Sequence, residues 1–453
     1  MQKVCVILHK THKGVLSGGN LMERTKKGSR FWASLVILSL TGQVAWVVEN
    51  MYFNVFIYKM FNASATAIST MVAASAIAAA LTTIFIGALS DKIGKRKLFI
   101  CGGYILWGIS IAAFALIRID VINAIFPGAA SAAACGVSIV IIMDCVMTFF
   151  GSSANDACFN AWLTDSTDET NRGSAEGLNS MMPLIAILVV FGSFMFFDLD
   201  ESSSWVKIFL IIGAAVFIIG IIGLFIVDES AVKKEETSNY IQNMIYSFRP
   251  KVIAANPKLY LTLAAFIVFS ISIQIFFPYL ILYYEVSLGM ENYVLVMAPA
   301  IVAAAVVTAF YGRLYDRLHF KKSVIPAIIL LLIGYVFLYL FKSTALVFIG
   351  SLFMMCGYLT GMAVFGAMIR DCTPKGRAGM FQGVRIICQV LIPGVIGPYI
   401  GALVLRNADT VLNDDGTTSF IPNANIYLAA FIAAVCVFFV MIPLFKKLKK
   451  ESI

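Results

Sequence analysis

Gly87-Ala-Leu-Ser-Asp91-Lys92-Ile-Gly94-Lys95-Arg96-Lys97 returns 225 residues later as Gly312-Arg313-Leu-Tyr-Asp316-Arg317-Leu-His319-Phe-Lys321-Lys322. Both copies read glycine, three residues, aspartate, a cation and then a basic cluster. A second pair recurs at an offset of 206, where Asp165, Thr167, Gly173 and Gly177 match Asp371, Thr373, Gly379 and Gly383. Two repeated loops in the same order mark a chain built from two copies of one unit. The smaller second offset means that the first copy carries extra residues, around Ile119 to Cys135.

What surrounds these loops is apolar. Of 453 residues, 60 % are hydrophobic and 13 % charged, with a mean hydropathy of +0.89. Soluble domains carry roughly 25 % charged residues, and no single soluble core hides this much apolar surface, so a soluble enzyme is excluded. Apolar runs long enough to cross a hydrocarbon layer of roughly 30 Å as helices fall near 31–58, 64–90, 97–118, 133–162, 177–197 and 205–227. Six more fall near 258–284, 292–312, 324–341, 345–369, 380–405 and 425–445. The expected architecture is an all-α polytopic membrane protein of twelve spans in two pseudo-symmetric six-helix lobes. Its expected divisions are a tail at 1–30, a first lobe at 31–227, a linker at 228–257, a second lobe at 258–445 and a basic tail at 446–453.

With the N-terminus inside, 29 of the 34 Lys and Arg fall in inner segments and 5 in outer ones. Basic residues near span ends stay on the cytoplasmic side, so both termini are expected there, in a multi-pass protein of the bacterial cytoplasmic membrane. The net charge of +9 is then topology, and nucleic acid is excluded as a partner. Nine cysteines form no CxxC and no cluster with histidine, so they read as small apolar residues. Gly18-Gly19 precedes Met22 as a translated ribosome-binding sequence precedes a start. Met22 is therefore a candidate initiator, the alternative being an ordinary tail.

On the loop Gly87 to Lys97 the chain resembles the major facilitator superfamily, whose signature after helices 2 and 8 is Gly-x-x-x-Asp-[Lys/Arg]-x-Gly-[Lys/Arg]. The resemblance runs from about Arg30 to Lys450, and the copy after helix 8 departs from it by placing His319 where the second glycine stands. Within that superfamily the Asp371-Cys-Thr-Pro-Lys-Gly-Arg377 loop and the polar face of helix 4 resemble the glycoside-pentoside-hexuronide cation symporters. The resemblance implies alternating access between two lobes. It gives the repeated loops a gating role through Gly87, Asp91, Lys92, Gly94, Lys95, Arg96, Asp165, Arg172, Gly312, Asp316, Arg317, Asp371 and Arg377. Their charges are suited to contacts between helices and across lobes when the cytoplasmic side closes; the plain alternative is charges that only set topology.

An ionisable side chain at mid-membrane costs roughly 2.5 to 3.5 kcal/mol even on lenient scales, so each one is a functional candidate. Glu49 lies in helix 1, and Asp144 and Asp156 in helix 4. Asp144, Thr148, Gly151, Ser152, Asn155 and Trp162 share a sector of about 100° of helix 4. Such a stripe faces protein or water rather than lipid; it is expected to line a central cavity, or else to hydrogen-bond neighbouring helices. Helix 1 presents Gln43, Asn50 and Asn54 on one face and Trp46, Glu49 and Phe53 on another. A carboxylate beside an indole suits sugar hydroxyls and the sugar C–H face, and Glu49 has a second role open to it as the proton-carrying group. In the second half, Gln274 on helix 7 and Gln382, Arg385 and Gln389 on helix 11 complete the expected cavity. Arg385 is placed either to meet a substrate or an acid, or to reach toward the inner surface.

Cation symporters of the melibiose type carry acids within helix 2, whereas residues 64–90 contain none. Proton coupling through Glu49 or Asp144 is therefore expected over a sodium site. The leading expectation is a secondary active importer of a sugar or glycoside, with a solute and a proton or cation as partners, a monomer sufficing. The alternative is an exporter of drugs or amphipathic compounds. A membrane enzyme is disfavoured, since no HExxH, Walker loop or histidine cluster occurs among three histidines, and no metal or cofactor is implied.

Overall fold

Long apolar segments in lipid must satisfy every backbone N–H and C=O internally, and helices do so. The computed structural model describes residues 27–127, 131–168, 171–229, 247–290, 292–374, 378–413 and 417–450; for 312–314, 316, 378–380, 382, 449 and 450 it describes the backbone alone. Among the described residues twelve helices are long and apolar enough to cross a membrane. They are α1 (Ser29–Phe61), α2 (Ala65–Ile93), α3 (Arg96–Leu116), α4 (Ala132–Asp165), α5 (Arg172–Phe194), α6 (Ser202–Ile226), α7 (Pro257–Ser287), α8 (Val294–Tyr311), α9 (Arg317–Leu340), α10 (Thr344–Cys372), α11 (Gly383–Asn407) and α12 (Asn425–Leu448). The first 26 residues, with the candidate start at Met22, lie outside the described residues.

Local chemistry sets the helix ends. Asn62 closes α1 in the left-handed conformation, which asparagine tolerates better than most residues. Ser64 caps α2 by accepting from the Ala67 N–H at 3.2 Å. Gly94, with φ 72°, ends α2. The extra chain between α3 and α4 contains a short helix, Ile119–Ile125.

Packing follows the duplication. In the first half α3 lies along α6, α1 along α5 and α2 along α4; in the second, α7 lies along α11 and α12, and α10 along the α8–α9 pair. The α9–α10 approach is set by glycine, because a Cβ on Gly334 would stand 2.3 Å from the Met354 nitrogen and one on Gly357 2.3 Å from the Leu331 nitrogen. The halves meet where α2 runs against α11 and α5 against α8.

Four helices widen into π-turns, at Val48–Tyr52 in α1, Ser152–Phe159 in α4, Tyr283–Ser287 in α7 and Ile387–Leu391 in α11. π-turns inside α-helices are frequent at functional sites. Here they carry Glu49, Asn155, Asp156, Glu285 and Gln389. At the end of the bundle away from Ser29 and Leu448, β1 (Thr410–Leu412) and β2 (Thr418–Phe420) form an antiparallel hairpin between α11 and α12.

Candidate functional site

Glu49 projects from the π-turn of α1 into the interior of the first half and is 6 % exposed. Its Oε1 accepts from the Ser75 hydroxyl of α2 at 2.6 Å and from the Thr148 hydroxyl of α4 at 2.9 Å. Asp144, one turn before Thr148 and 1 % exposed, lies beside both Glu49 and Ser75. Glu49 Oε2 and Asp144 Oδ1 are buried without a hydrogen-bond partner. No Lys, Arg or His forms an ion pair with either acid among the described residues.

Aromatic rings border this cluster toward the basic end, where α1 begins at Ser29 and α12 ends at Leu448. The Trp46 ring lies 5.0 Å from that of Trp107, which in turn lies 5.6 Å from that of Tyr104. The Tyr104 hydroxyl donates to Leu38 O at 2.7 Å and to Asn155 Oδ1 at 3.1 Å. Asp156 accepts from the Ser152 hydroxyl at 2.9 Å, and the Trp46 indole N–H lies beside it without reaching hydrogen-bond geometry. Three carboxyl groups on α1 and α4 are thus surrounded by hydroxyls, amides and indoles.

Asp144, Thr148 and Asn155 of the α4 stripe are buried against α1, α2 and α3 within the first half. The physical reason lies in partners that α4 does not itself contain. Ser75 is the sole hydroxyl of an alanine-rich stretch, Ala73 to Ala80, and Tyr104 and Trp107 are supplied by α3. Asn50 and Asn54 turn back on their own helix, donating to Trp46 O at 2.7 Å and Asn50 O at 2.8 Å. Gln43 and Gln274 are half-buried, and Arg385 is exposed with its Nε donating to Gln389 Oε1 at 3.3 Å. The structure does not bring these second-half residues to the carboxyl cluster, and the side chain of Gln382 lies outside the described residues.

At the basic end, Arg96 makes contacts between helices of the first half. Arg96 is 5 % exposed and holds Asp91, Asp165 (3.2 Å) and the Ser90 hydroxyl, all within the first half. Its guanidinium fork meets two carboxylates at once. The second half solves the same position differently. Tyr315, equivalent to Ser90 at the 225 offset, donates directly to Asp371 at 2.7 Å. Burial, with Asp371 beside it, raises the Tyr315 hydroxyl above its ordinary pKa. His319, equivalent to Gly94, takes φ 58° and ψ 176°. Arg172 donates to Thr164 O and Thr167 O, while Lys92, Lys95 and Arg317 are exposed. Gly312 continues the helix; Arg377 and the side chain of Asp316 lie outside the described residues. Among those residues the ion pair that crosses the halves at this end is Arg370–Glu176 at 3.9 Å, with side chains 72 % and 52 % exposed.

The opposite, far end is sealed. Lys59 of α1, 7 % exposed, pairs across the halves with Glu285 of α7, and within its own half with Asp200 at 3.0 Å. The Tyr52 and Tyr293 hydroxyls meet at 2.9 Å, and the Ser69 hydroxyl contacts both the Tyr279 hydroxyl and Pro398 O at 2.7 Å. Buried bonds at one end and one exposed, long ion pair at the other describe a protein closed at its far end.

The sequence pattern described as Major Facilitator Superfamily matches residues 33–398 and again 295–452. No curated protein matches the sequence. The fold is similar to that of a D-xylose–proton symporter, with a TM-score of 0.68 at 12 % identity over 90 % of this chain and 97 % of that one. The nucleoside transporter NupG gives 0.67 at 13 % identity, over 91 % and 98 %. A bacterial homologue of the human lysosomal transporter Spinster, in an inward-facing and unoccupied conformation, gives 0.62 at 15 % identity, over 92 % and 96 %. With twelve spans, duplicated halves and a family pattern matched along nearly the whole length, the chain belongs to the major facilitator superfamily.

Proposed function

We propose that this transporter carries a small hydroxylated solute of the sugar, glycoside or nucleoside class across the cell membrane, driven by a proton held at Glu49 and Asp144. The basic end faces the cytoplasm in this reading, as the distribution of Lys and Arg expects. One observation carries it: two adjacent buried carboxyl groups, each with an unpartnered oxygen and with no cation paired to them among the described residues. Buried polar atoms are nearly always hydrogen-bonded, and a proton between two carboxyls supplies the missing donor. Its release leaves two negative charges together in apolar surroundings, so loading and unloading favour different arrangements of α1 and α4. Trp46, half-buried, offers an aromatic face for the C–H side of a sugar or for a base. The sugar and nucleoside transporters of similar fold support the solute class, and Arg385 and Gln389 offer hydroxyl-binding groups on the opposite half.

The test is uptake of labelled sugars, glycosides and nucleosides into cells expressing the protein, with and without a pH gradient. Saturable uptake collapsed by a protonophore is expected. Glu49→Gln and Asp144→Asn are expected to abolish uphill accumulation while leaving solute exchange across loaded membranes. Absence of uptake, in cells where a known permease handles the same panel, overturns the importer and directs the work to drug export.

A further inference from the structure

The hairpin between α11 and α12 belongs to the second half in sequence, yet its polar edge is bonded to the first. Asn62, which ends α1 with φ 50°, accepts at Oδ1 from Asn413 Nδ2 at 3.1 Å and from the Ser419 hydroxyl at 3.2 Å. Its Nδ2 donates to Thr417 Oγ1 at 2.7 Å. One turn earlier on α1, the Tyr58 hydroxyl donates to Phe420 O at 2.6 Å, and the two rings meet edge to face at 5.2 Å. Behind the hairpin, Phe420 also packs on Tyr279 of α7 at 6.3 Å, and the Ser287 hydroxyl at the end of α7 donates to Pro422 O. The strands themselves are fixed by the Asn413 N–H donating to Thr417 O at 2.8 Å and the Ile421 N–H donating to Asp409 O at 2.7 Å.

We infer that this hairpin is a latch: anchored on α7, it clasps the end of α1 through Asn62 and Tyr58 and holds the far end shut until those bonds release. Asn62 is suited to the part for two reasons. Its left-handed backbone ends α1 at the hairpin, and its amide donates to Thr417 and accepts from Asn413 and Ser419, so one side chain holds residues from both arms of the hairpin. The buried Lys59–Glu285 pair lies next to Tyr58 and Asn62 on the same turns of α1. Leu412 and Asn413 border the same cavity as Lys59 and Asp200, so the hairpin stands at the edge of the ion pair. Opening of the far end separates α1 from α7, and the hairpin, tied to both, has to let go of one. The bonds to α1 are side-chain hydrogen bonds at a partly exposed rim, individually weak enough to release in turn.

The latch rests on alternating access and on no particular solute or coupling ion. Its test is the rate of maleimide labelling at Ala65→Cys, a buried position at the seam between α2 and α7 whose backbone carbonyl accepts from the Tyr279 hydroxyl at 3.0 Å and whose side chain makes none of the closing hydrogen bonds. The measurement uses the full chain, purified into lipid nanodiscs, with the parent's native cysteines as the blank. Asn62→Gly keeps the left-handed turn and removes the amide; Asn413→Ala removes the partner from the hairpin side. Each is expected to raise the labelling rate several-fold, and the double variant no further, since both break one network. A rate unchanged in both single variants that elute as the parent does would overturn the latch. Failure of the solute or proton assignment leaves this result untouched, because labelling needs neither.

Discussion

At the residue scale, His319 and Arg96 show what one position of the repeated loop demands. Gly94 ends α2 with positive φ, and its counterpart 225 residues on takes φ 58° and ψ 176° with a full side chain. A non-glycine residue there costs about 1–3 kcal/mol. His319→Gly is therefore expected to raise the thermal midpoint of the purified protein, and a fall would show that the imidazole holds the turn together. Arg96 is buried between Asp91 and Asp165. Arg96→Met takes from Asp91 and Asp165 the guanidinium they share and is expected to cost more stability than the loss of an exposed pair. Arg370→Met removes an exposed pair worth under about 1 kcal/mol. Denaturation of the two variants side by side checks the ranking, and equal losses would contradict it.

At the element scale, helix contacts are decided by where side chains are absent. The α9–α10 crossing brings Gly334 and Gly357 against backbone of the facing helix, which has no rotamer by which to yield. Gly334→Val is expected to cost at least the 1–3 kcal/mol or so typical of overpacking, seen as a lower melting temperature or as loss of monodisperse protein on purification. Wild-type behaviour would mean that the helices separate more freely than their packing implies. The π-turns belong to this scale as well. Each offsets the helix that follows it, so a carboxyl group or amide is aimed differently from what a regular 3.6-residue period gives.

At the scale of the whole molecule, the two ends differ in the cost of opening. The Lys59–Glu285 pair at the far end is 7 % and 18 % exposed, whereas the cross-half pair at the basic end is 72 % and 52 % exposed. Breaking a buried pair is strongly unfavourable, and breaking an exposed one nearly free. Glu285→Gln is expected to shift the population toward far-end opening, while Lys59 keeps Asp200 within its own half. Spin labels at Ser203 and Arg406, both exposed at that end, would report longer separations in the variant. Unchanged distances would show that the hydroxyl contacts of Tyr52, Ser69 and Tyr279 suffice for closure.

The twelve spans, their duplication and the family are legible in the residues alone, because apolar runs of membrane length and repeated loop residues are local and periodic. So are Glu49, Asp144 and Asp156, because a carboxyl group in an apolar helix stands out wherever the helix goes. What those acids meet depends on how the helices pack. Ser75 and Tyr104 carry no pattern of their own, and the stripe on α4 has the same 3.6-residue spacing whether it faces a passage or other helices; contact between α1, α2, α3 and α4 assigned it to the first half. The repeat likewise set Asp165 and Asp371 as equivalents, yet Arg96 reaches one and Tyr315 the other. Equivalence in sequence fixes the backbone position of a residue; the partner that comes within hydrogen-bonding distance depends on side chains supplied from elsewhere in the chain.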